Sequence, residues 1–456
     1  MSTFPTDALK RILGSGAVAL AGLALAITLA GCAADEMPPT TRPELVHTPL
    51  VLSPEPVAPA PVVLQPSATS EIMRAIQGSL NAPKPNSVLD LMHLAADWQL
   101  DNPSSDPKNG WVNAAFYTGV MALGRLEKDS RYIDAMAAVG TELRWQLDDN
   151  IYDADHHAVS QMYLEMYALK QQSEMIEATT QRFNYIIDFP KDDILDFTRF
   201  GHSDRWSWCD SLFMDPPAWV LLSKVSGNNK YLDSANRRWW VTSDFLFDKD
   251  EHLYYRDSRY LPQREANGQK IFWSRGNGWV IAGLARVLEN MPKDYPDRGK
   301  FAGQFMQMAE KLKLLQQPDG LWRTGLLDPA AHPQPEASGT GFITYALAWG
   351  VNNGLLDRAA YTPVVFKAWS ALTQCVQPDG KLIHVQPVGD HPNGFPADST
   401  APFGVGAFLL AGSEVYQLAG GQLPGAAAVV TANNPKIVSG FIDESSLTIG
   451  QTRSCQ

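Results

Sequence analysis

From about Asn86 onward, apolar residues recur at helical spacing, in two alternating kinds of segment. One kind opens on small or capping residues and runs on in alanines, leucines and aromatics with few charges. Its members start near Gly110, Asp155, Asp210, Gly276, Ser338 and Ser399. The other kind keeps a charged face and covers 88–99, 132–146, 174–187, 231–247, 301–317 and 361–376. A helix that is apolar all round is buried, and one with a polar face lies outside. Six of each in strict alternation, with inner starts roughly 45 to 65 residues apart, predict a repeated helical pair. The expected fold is all-α, a single-domain (α/α)6 barrel with six inner and six outer helices. An open superhelix of helix pairs is the competing arrangement, but solenoids have shorter and more regular repeats. Gln317-Pro-Asp-Gly320 and Gln377-Pro-Asp-Gly380 are matching turns after outer segments, where Pro stops the helix and Asp-Gly turns the chain.

The chain ahead of this pattern is of another character. Lys10 and Arg11 precede an apolar run to Ala30, and Leu29-Ala-Gly-Cys32 follows at once. This reads as a bacterial lipoprotein signal over 1–31, with cleavage before Cys32 and acylation of its thiol. A plain secretory signal with a chance cysteine is the alternative. Ala33 rather than Asp after the cysteine points to the outer membrane, with the protein exported and lipid-anchored. Residues 32–66, rich in Pro, Ala, Val and Thr, are expected to be an extended tether. The barrel is expected over 67–420, and 421–456 form a tail with no assigned role.

Composition narrows the partners. The chain is 45% hydrophobic and 19% charged with 13 Trp, and its net charge of -12 argues against nucleic acid. Cys209, Cys375 and Cys455 are too few and too widely spaced for a disulfide framework. No metal site or cofactor is expected, because CxxC, HExxH and EF-hand patterns are absent. His156 and His157 are adjacent, so on a helix they diverge by about 100° and cannot face one ion.

Two stretches carry chemistry. Trp273-Ser-Arg-Gly-Asn-Gly-Trp279 places a guanidinium between two indoles at a glycine-rich helix entry. Indoles stack on sugar faces, the glycines permit close backbone approach, and the planar fork of Arg275 suits a carboxylate. An acidic sugar fits that set; a helix start with a structural Trp pair is the plainer reading. In the second stretch, Asp210 heads an inner segment among Trp208, Phe213, Met214 and Trp219. A helix N-terminus lowers a carboxyl pKa and an apolar surround raises it, a balance that suits a general acid near neutral pH. Asp210 acting only as an N-cap is the alternative. Asp215, before Pro216-Pro217, is expected to cap or turn.

The run Trp208-Cys-Asp-Ser-Leu-Phe-Met-Asp-Pro-Pro217, followed by 273–279, resembles glycoside hydrolase family 105, the unsaturated rhamnogalacturonyl hydrolases, which are related to unsaturated glucuronyl hydrolases. The resemblance extends through 153–157, 252–257, 317–322 and 338–341 and covers roughly 86 to 418. It implies an (α/α)6 barrel and hydrolysis of 4,5-unsaturated galacturonyl residues from rhamnogalacturonan fragments, by protonation of C4=C5 and addition of water at C5. It also implies Asp210 as general acid/base, with Trp208, Met214, Trp273, Arg275 and Trp279 around the substrate. The family's second carboxylate matches Asp155 best, with Asp153 as the other candidate. Arg256 departs from the family pattern, in which His is common; it adds a second carboxylate contact or pairs with Asp257. The other readings are the same reaction on unsaturated glucuronyl fragments such as those of ulvan or arabinogalactan, a polysaccharide lyase on a similar toroid, and a non-catalytic sugar-binding lipoprotein. The last would have no need of Asp210.

Overall fold

The computed structural model describes residues 82–127, 130–191 and 195–423. The signal segment 1–31, Cys32, the tether 32–66, Cys455 and the tail from 424 lie outside the described residues. In chain order the helices are α1 (Pro85–Asp101), α2 (Trp111–Leu126), α3 (Arg131–Glu142), α4 (Ser160–Lys170) and α5 (Glu174–Asp188). There follow α6 (Ser211–Met214), α7 (Pro216–Ser226), α8 (Lys230–Leu246), α9 (Ser274–Asn290) and α10 (Arg298–Leu315). The last three are α11 (Ala337–Asn352), α12 (Arg358–Thr373) and α13 (Pro402–Leu418). A short hairpin, β1 (Phe247–Asp248) antiparallel to β2 (Leu253–Tyr254), lies between α8 and α9.

The alternation expected from the sequence is present. Inner helix α9 is buried at every position from Ser274 to Leu288, and α11 from Ala337 to Val351. Outer helix α8 buries one stripe that includes Leu232, Ala235, Trp239 and Leu246. The ring is closed: α2 packs on α4, α4 on α7, α7 on α9, α9 on α11, α11 on α13, and α13 back on α2. An open superhelix would lack the last of these contacts. The fold is therefore an (α/α)6 barrel.

The two matching turns behave alike. Gly320 and Gly380 have φ of 96° and 98°, and each donates its N–H to the carbonyl of Gln317 or Gln377 at 2.9 Å. A Cβ there would lie 2.6 Å from the Lys367 carbonyl oxygen or 2.3 Å from that of Leu94, so glycine is required twice over.

Three local expectations are corrected. The third inner segment is two helices, because Pro216 and Pro217 bring no N–H to bond back into a helix begun at Ser211. The second inner helix starts at Ser160, and Asp155 sits ahead of it in a 3₁₀ turn, Ala154–His157. Outer helix α3 stops at Glu142, since Arg144 and Trp145 take φ of 51° and 56°.

Charged groups are buried near the C-terminal ends of the inner helices. Glu165 lies between Arg125 and Arg286, and the Arg286 contact is 2.6 Å. Glu414 accepts from Asn352 at 2.8 Å. Burial pushes the Glu414 carboxyl up to about 7, with Glu289 adding and Arg125 opposing. A carboxyl whose folded pKa is raised stabilises most below its unfolded pKa, and that stability is lost as pH rises through 7. The loss by pH 8 is on the order of 3 kcal/mol at most. Glu414→Gln should therefore flatten the pH dependence of stability between pH 5 and 8, measured by denaturant midpoints. A slope unchanged from wild type would assign that dependence to other groups.

Candidate active site

The N-terminal ends of the inner helices meet at one mouth, which encloses a cavity of about 160 Å³. A dry cavity of about 150 Å³ holds benzene, so this one suits a single six-membered ring. All eight pocket residues read from the sequence line it: Asp155, Trp208, Asp210, Met214, Arg256, Trp273, Arg275 and Trp279. Trp111, Val388 and Gly389 line it as well and were not singled out. Trp111 had a signal, because it opens the first inner helix just as Arg275 opens the fourth. Val388 and Gly389 had none, being in a segment without periodicity.

Asp210 precedes α6, and its backbone carbonyl accepts from Phe213 N–H at 3.0 Å. Its side chain makes no capping bond, which removes the N-cap alternative. The Asp210 Oδ2 accepts from Arg256 Nε–H at 2.9 Å, while buried Oδ1 has no partner among the described residues. Burial raises its pKa, and Arg256 and then Arg275 oppose the rise. Arg256 is set beside it by the backbone: Cys209 N–H donates to the Arg256 carbonyl at 2.8 Å, and Trp208 pairs with Asp257 in an antiparallel bridge. Of the two options for Arg256, the pair with Asp257 is present, since Nη1 donates to it at 2.8 Å. Those two bonds leave three of its five N–H hydrogens for a ligand.

Asp155 is pushed well above the usual carboxylate range by burial, then by the charges of Asp153 and Asp210. Trp208 hydrogen-bonds to its side chain, and buried Asp155 Oδ1 has no partner. Asp153 does not line the cavity; it caps the turn, accepting from Asp155 N–H at 3.0 Å. That separates the two candidates for the second carboxylate: Asp155 faces the cavity and Asp153 holds it there.

Arg275 is 1% exposed, and its fork is partly engaged. Nη1 donates to the Gln386 carbonyl at 2.6 Å and Nη2 to that of Pro387 at 2.8 Å, with the guanidinium 4.4 Å above Trp273 and 4.9 Å above Phe403. Burial lowers its pKa to about 10, leaving it charged at neutral pH. Its Nε–H is unpartnered. So Arg275 fixes residues 386–387, which lead directly into the cavity wall at Val388 and Gly389, and keeps only part of the fork for a carboxylate. Trp273 joins the same wall, donating to Gln386 Oε1 at 2.7 Å. Trp279 is wedged against Phe342 and Phe213, with ring centroids 4.0 and 4.8 Å away. The close approach at Gly278 is to the neighbouring helix, where a Cβ would meet the Gly339 oxygen at 3.2 Å.

Asp215 stands at the head of α7 as expected, but its side chain makes no capping bond. It is fully buried and accepts from the indoles of Trp206 and Trp219 at 2.9 and 2.8 Å, with His157 Nδ1 at 3.1 Å. His156 goes instead to Asp148, at 3.3 Å, so the adjacent histidines serve different carboxylates.

A closed ring of helix pairs, with two buried carboxyls of raised pKa, two arginines and a set of indoles at its mouth, is the architecture of a glycosidase site. Residues 86–419 match Glycosyl Hydrolase Family 88. The chain is 39% identical over 338 residues to the unsaturated 3S-rhamnoglycuronyl hydrolase of Formosa agariphila, covering 72% of this chain and 90% of that protein. Two solved structures are similar throughout: Polysaccharide Lyase BACCELL_00875 (33% identity, TM-score 0.67, 73% of this chain and 97% of that one), and a glycosyl hydrolase family 88 protein from Bacteroides vulgatus (31%, 0.68, 74% and 99%). The chain belongs to Glycosyl Hydrolase Family 88 and is a glycoside hydrolase.

Arg275→Lys keeps the charge but cannot serve two carbonyls in one plane while stacked between rings. Faster amide exchange at 385–391 is expected. A loss of at least tenfold in kcat/KM, about 1.4 kcal/mol, is expected with it. Unchanged exchange and unchanged turnover would remove Arg275 from both tasks.

Proposed function

We propose that this enzyme hydrates the C4=C5 double bond of a 4,5-unsaturated uronyl residue at the non-reducing end of an oligosaccharide, releasing a rhamnose-containing remainder. The observation that carries this is Asp210: buried at the cavity, raised in pKa, one oxygen fixed by Arg256 and the other unbonded. Burial raises the pKa of this carboxyl toward the range in which a general acid works, and the free oxygen faces the cavity where a proton would be delivered to carbon. C4 takes that proton, and charge develops on C5 and the ring oxygen. Water adds to C5 and gives up a proton to a carboxylate, for which Asp210, now ionised, and Asp155 are both placed at the cavity. The hemiketal opens to a ketone at C5. The hemiacetal left at C1 then collapses to an aldehyde, and the glycosidic oxygen departs with a proton. Arg256 and Arg275 supply N–H groups for the uronate carboxylate, and Trp208, Trp273 and Trp279 form the walls.

Galacturonate and glucuronate differ only at C4, and the double bond erases that difference. The two substrate names therefore describe the same ring, with different anomeric bonds and different neighbours. The name of the Formosa agariphila relative, a rhamnoglycuronyl hydrolase, supports a uronyl residue joined to rhamnose without distinguishing the two linkages. The motifs at 208–217 and 273–279 support placing the chain with the family 105 members of this group. A lyase must remove the C5 proton with a strong base, yet among the described residues no His, Lys or Tyr lines the cavity, and burial shifts its carboxyls upward. We further propose, from the signal and Cys32, that the enzyme is anchored to a bacterial membrane by a lipid.

The test of the reaction is Asp210→Asn, assayed by the ultraviolet absorbance of the conjugated double bond in lyase-generated oligosaccharides. Loss of a general acid costs about 10²–10⁴-fold, so absorbance decay should nearly stop while ligand binding survives. In heavy water the wild-type product should carry deuterium at C4. A folded variant with near wild-type turnover, or product unlabelled at C4, would sink this mechanism. For the anchor, Cys32→Ser should yield an uncleaved or soluble precursor, because a hydroxyl cannot take the thioether-linked lipid. Wild-type processing and membrane fractionation of that variant would refute it.

A further inference from the structure

Beside Asp210 lies a chain of ion pairs that the reaction itself does not call for. Asp257 is fully buried and accepts four hydrogen bonds. Its Oδ2 takes Arg256 Nη1–H at 2.8 Å and Arg259 Nη2–H at 2.7 Å. Its Oδ1 takes the backbone N–H of Arg259 at 3.0 Å and Arg259 Nε–H at 2.9 Å. Arg259 Nη2 also reaches Asp390 at 2.6 Å, one residue beyond the cavity wall at Val388 and Gly389. Phe197 covers both guanidiniums, at 4.6 Å from Arg256 and 4.4 Å from Arg259. Against the effect of burial, His391 and Arg259 hold Asp390 down at about 2, so it is ionised.

The charges can be counted. Arg256 and Arg259 contribute two positive charges, and Asp257 and Asp390 two negative ones, so the four balance without Asp210. The other charged or titratable groups facing Asp210 are Arg275, Asp155 and the Cys209 thiol. An arginine bonded to one carboxylate alone would pull Asp210 toward ionisation by one to three units, roughly, and so disarm a general acid. Arg256 does lower the pKa of Asp210, but its charge is shared with Asp257, and burial still outweighs it.

We infer that Asp257 is a positioning residue for the general acid, holding Arg256 in place on Asp210 while neutralising its charge, so that Asp210 is oriented without being ionised. Arg259 sets how much of the Asp257 charge reaches Arg256, and its bond to Asp390 ties this balance to the cavity wall. The inference rests on Asp210 acting as the acid.

The pH profile of kcat/KM from pH 5 to 9 tests it, since its basic limb reports the group that must be protonated. In Asp257→Asn, Arg256 has only Asp210 left as an anionic partner, so the basic limb should move to lower pH by about one unit. In Arg259→Gln, Asp257 acts on Arg256 alone, so the limb should move to higher pH. Shifts of opposite sign are the expected result. A uniform loss of rate with the limb unmoved, or movement in the reverse directions, would overturn the inference and leave Asp257 as a structural support. Should Asp257→Asn fail to fold, as judged by circular dichroism, Arg259→Gln decides alone, because that side chain is one-third exposed. Turnover surviving in Asp210→Asn would refute the proposed reaction. An inactive Asp210→Asn with unmoved limbs in the other two variants refutes only the role of Asp257.

Discussion

Closure of the ring by α13 against α2 is the constraint from which the site follows. Inner helices that pack side by side around a ring run in one direction, so their N-terminal ends share a mouth. Trp111, Asp155, Asp210 and Arg275 come from four different repeats and meet only because of that geometry. Inner helices α9 and α11 are buried nearly all round, so the polar side chains they carry must find partners within the ring. The C-terminal ends hold the Arg125–Glu165–Arg286 cluster, and the N-terminal ends hold the cavity.

At that mouth two effects compete. Removing a carboxyl group from water favours its neutral form, and a neighbouring guanidinium favours its ion. For Asp210 burial outweighs Arg256 and Arg275, and for Asp155 burial is joined by two like charges. The arginines do not win because much of their hydrogen-bonding capacity is engaged elsewhere. Arg275 binds two backbone carbonyls, and Arg256 is shared with Asp257. A cavity rich in cationic side chains thereby leaves both carboxyls shifted upward by burial, Asp155 the more strongly.

The helices and their burial were legible in the sequence because periodicity is a local property. The pocket residues of the two motifs were legible because indoles, a guanidinium and carboxyls at helix entries fit poorly in a core. What could not be read depends on partners far along the chain. Asp215 looked like a turn residue from Pro216 and Pro217, but its environment is made by Trp206, Trp219 and His157. Arg275 looked free to bind a ligand, but the carbonyls that occupy its fork lie more than a hundred residues later. Val388 and Gly389 belong to a segment whose sequence has neither period nor motif.

The size of the cavity bears on where selectivity can reside. A volume of about 160 Å³ admits one ring, so the sugar across the scissile bond lies outside it. The enclosed ring carries no stereochemistry at C4 or C5, and the indoles and arginines around it see the same flat uronate whatever polysaccharide it came from. Contacts inside the cavity therefore contribute to catalysis and to recognition of an unsaturated acid, but not to the choice between glucuronyl and galacturonyl chains. In the proposed reaction that choice would fall to the rim, where the direction of the anomeric bond and the next sugar would be met. Val388, 63% exposed beside Gly389, stands there on a segment held by Arg275, Trp273 and Arg259, so two side chains that line the cavity, Arg275 and Trp273, also fix its rim.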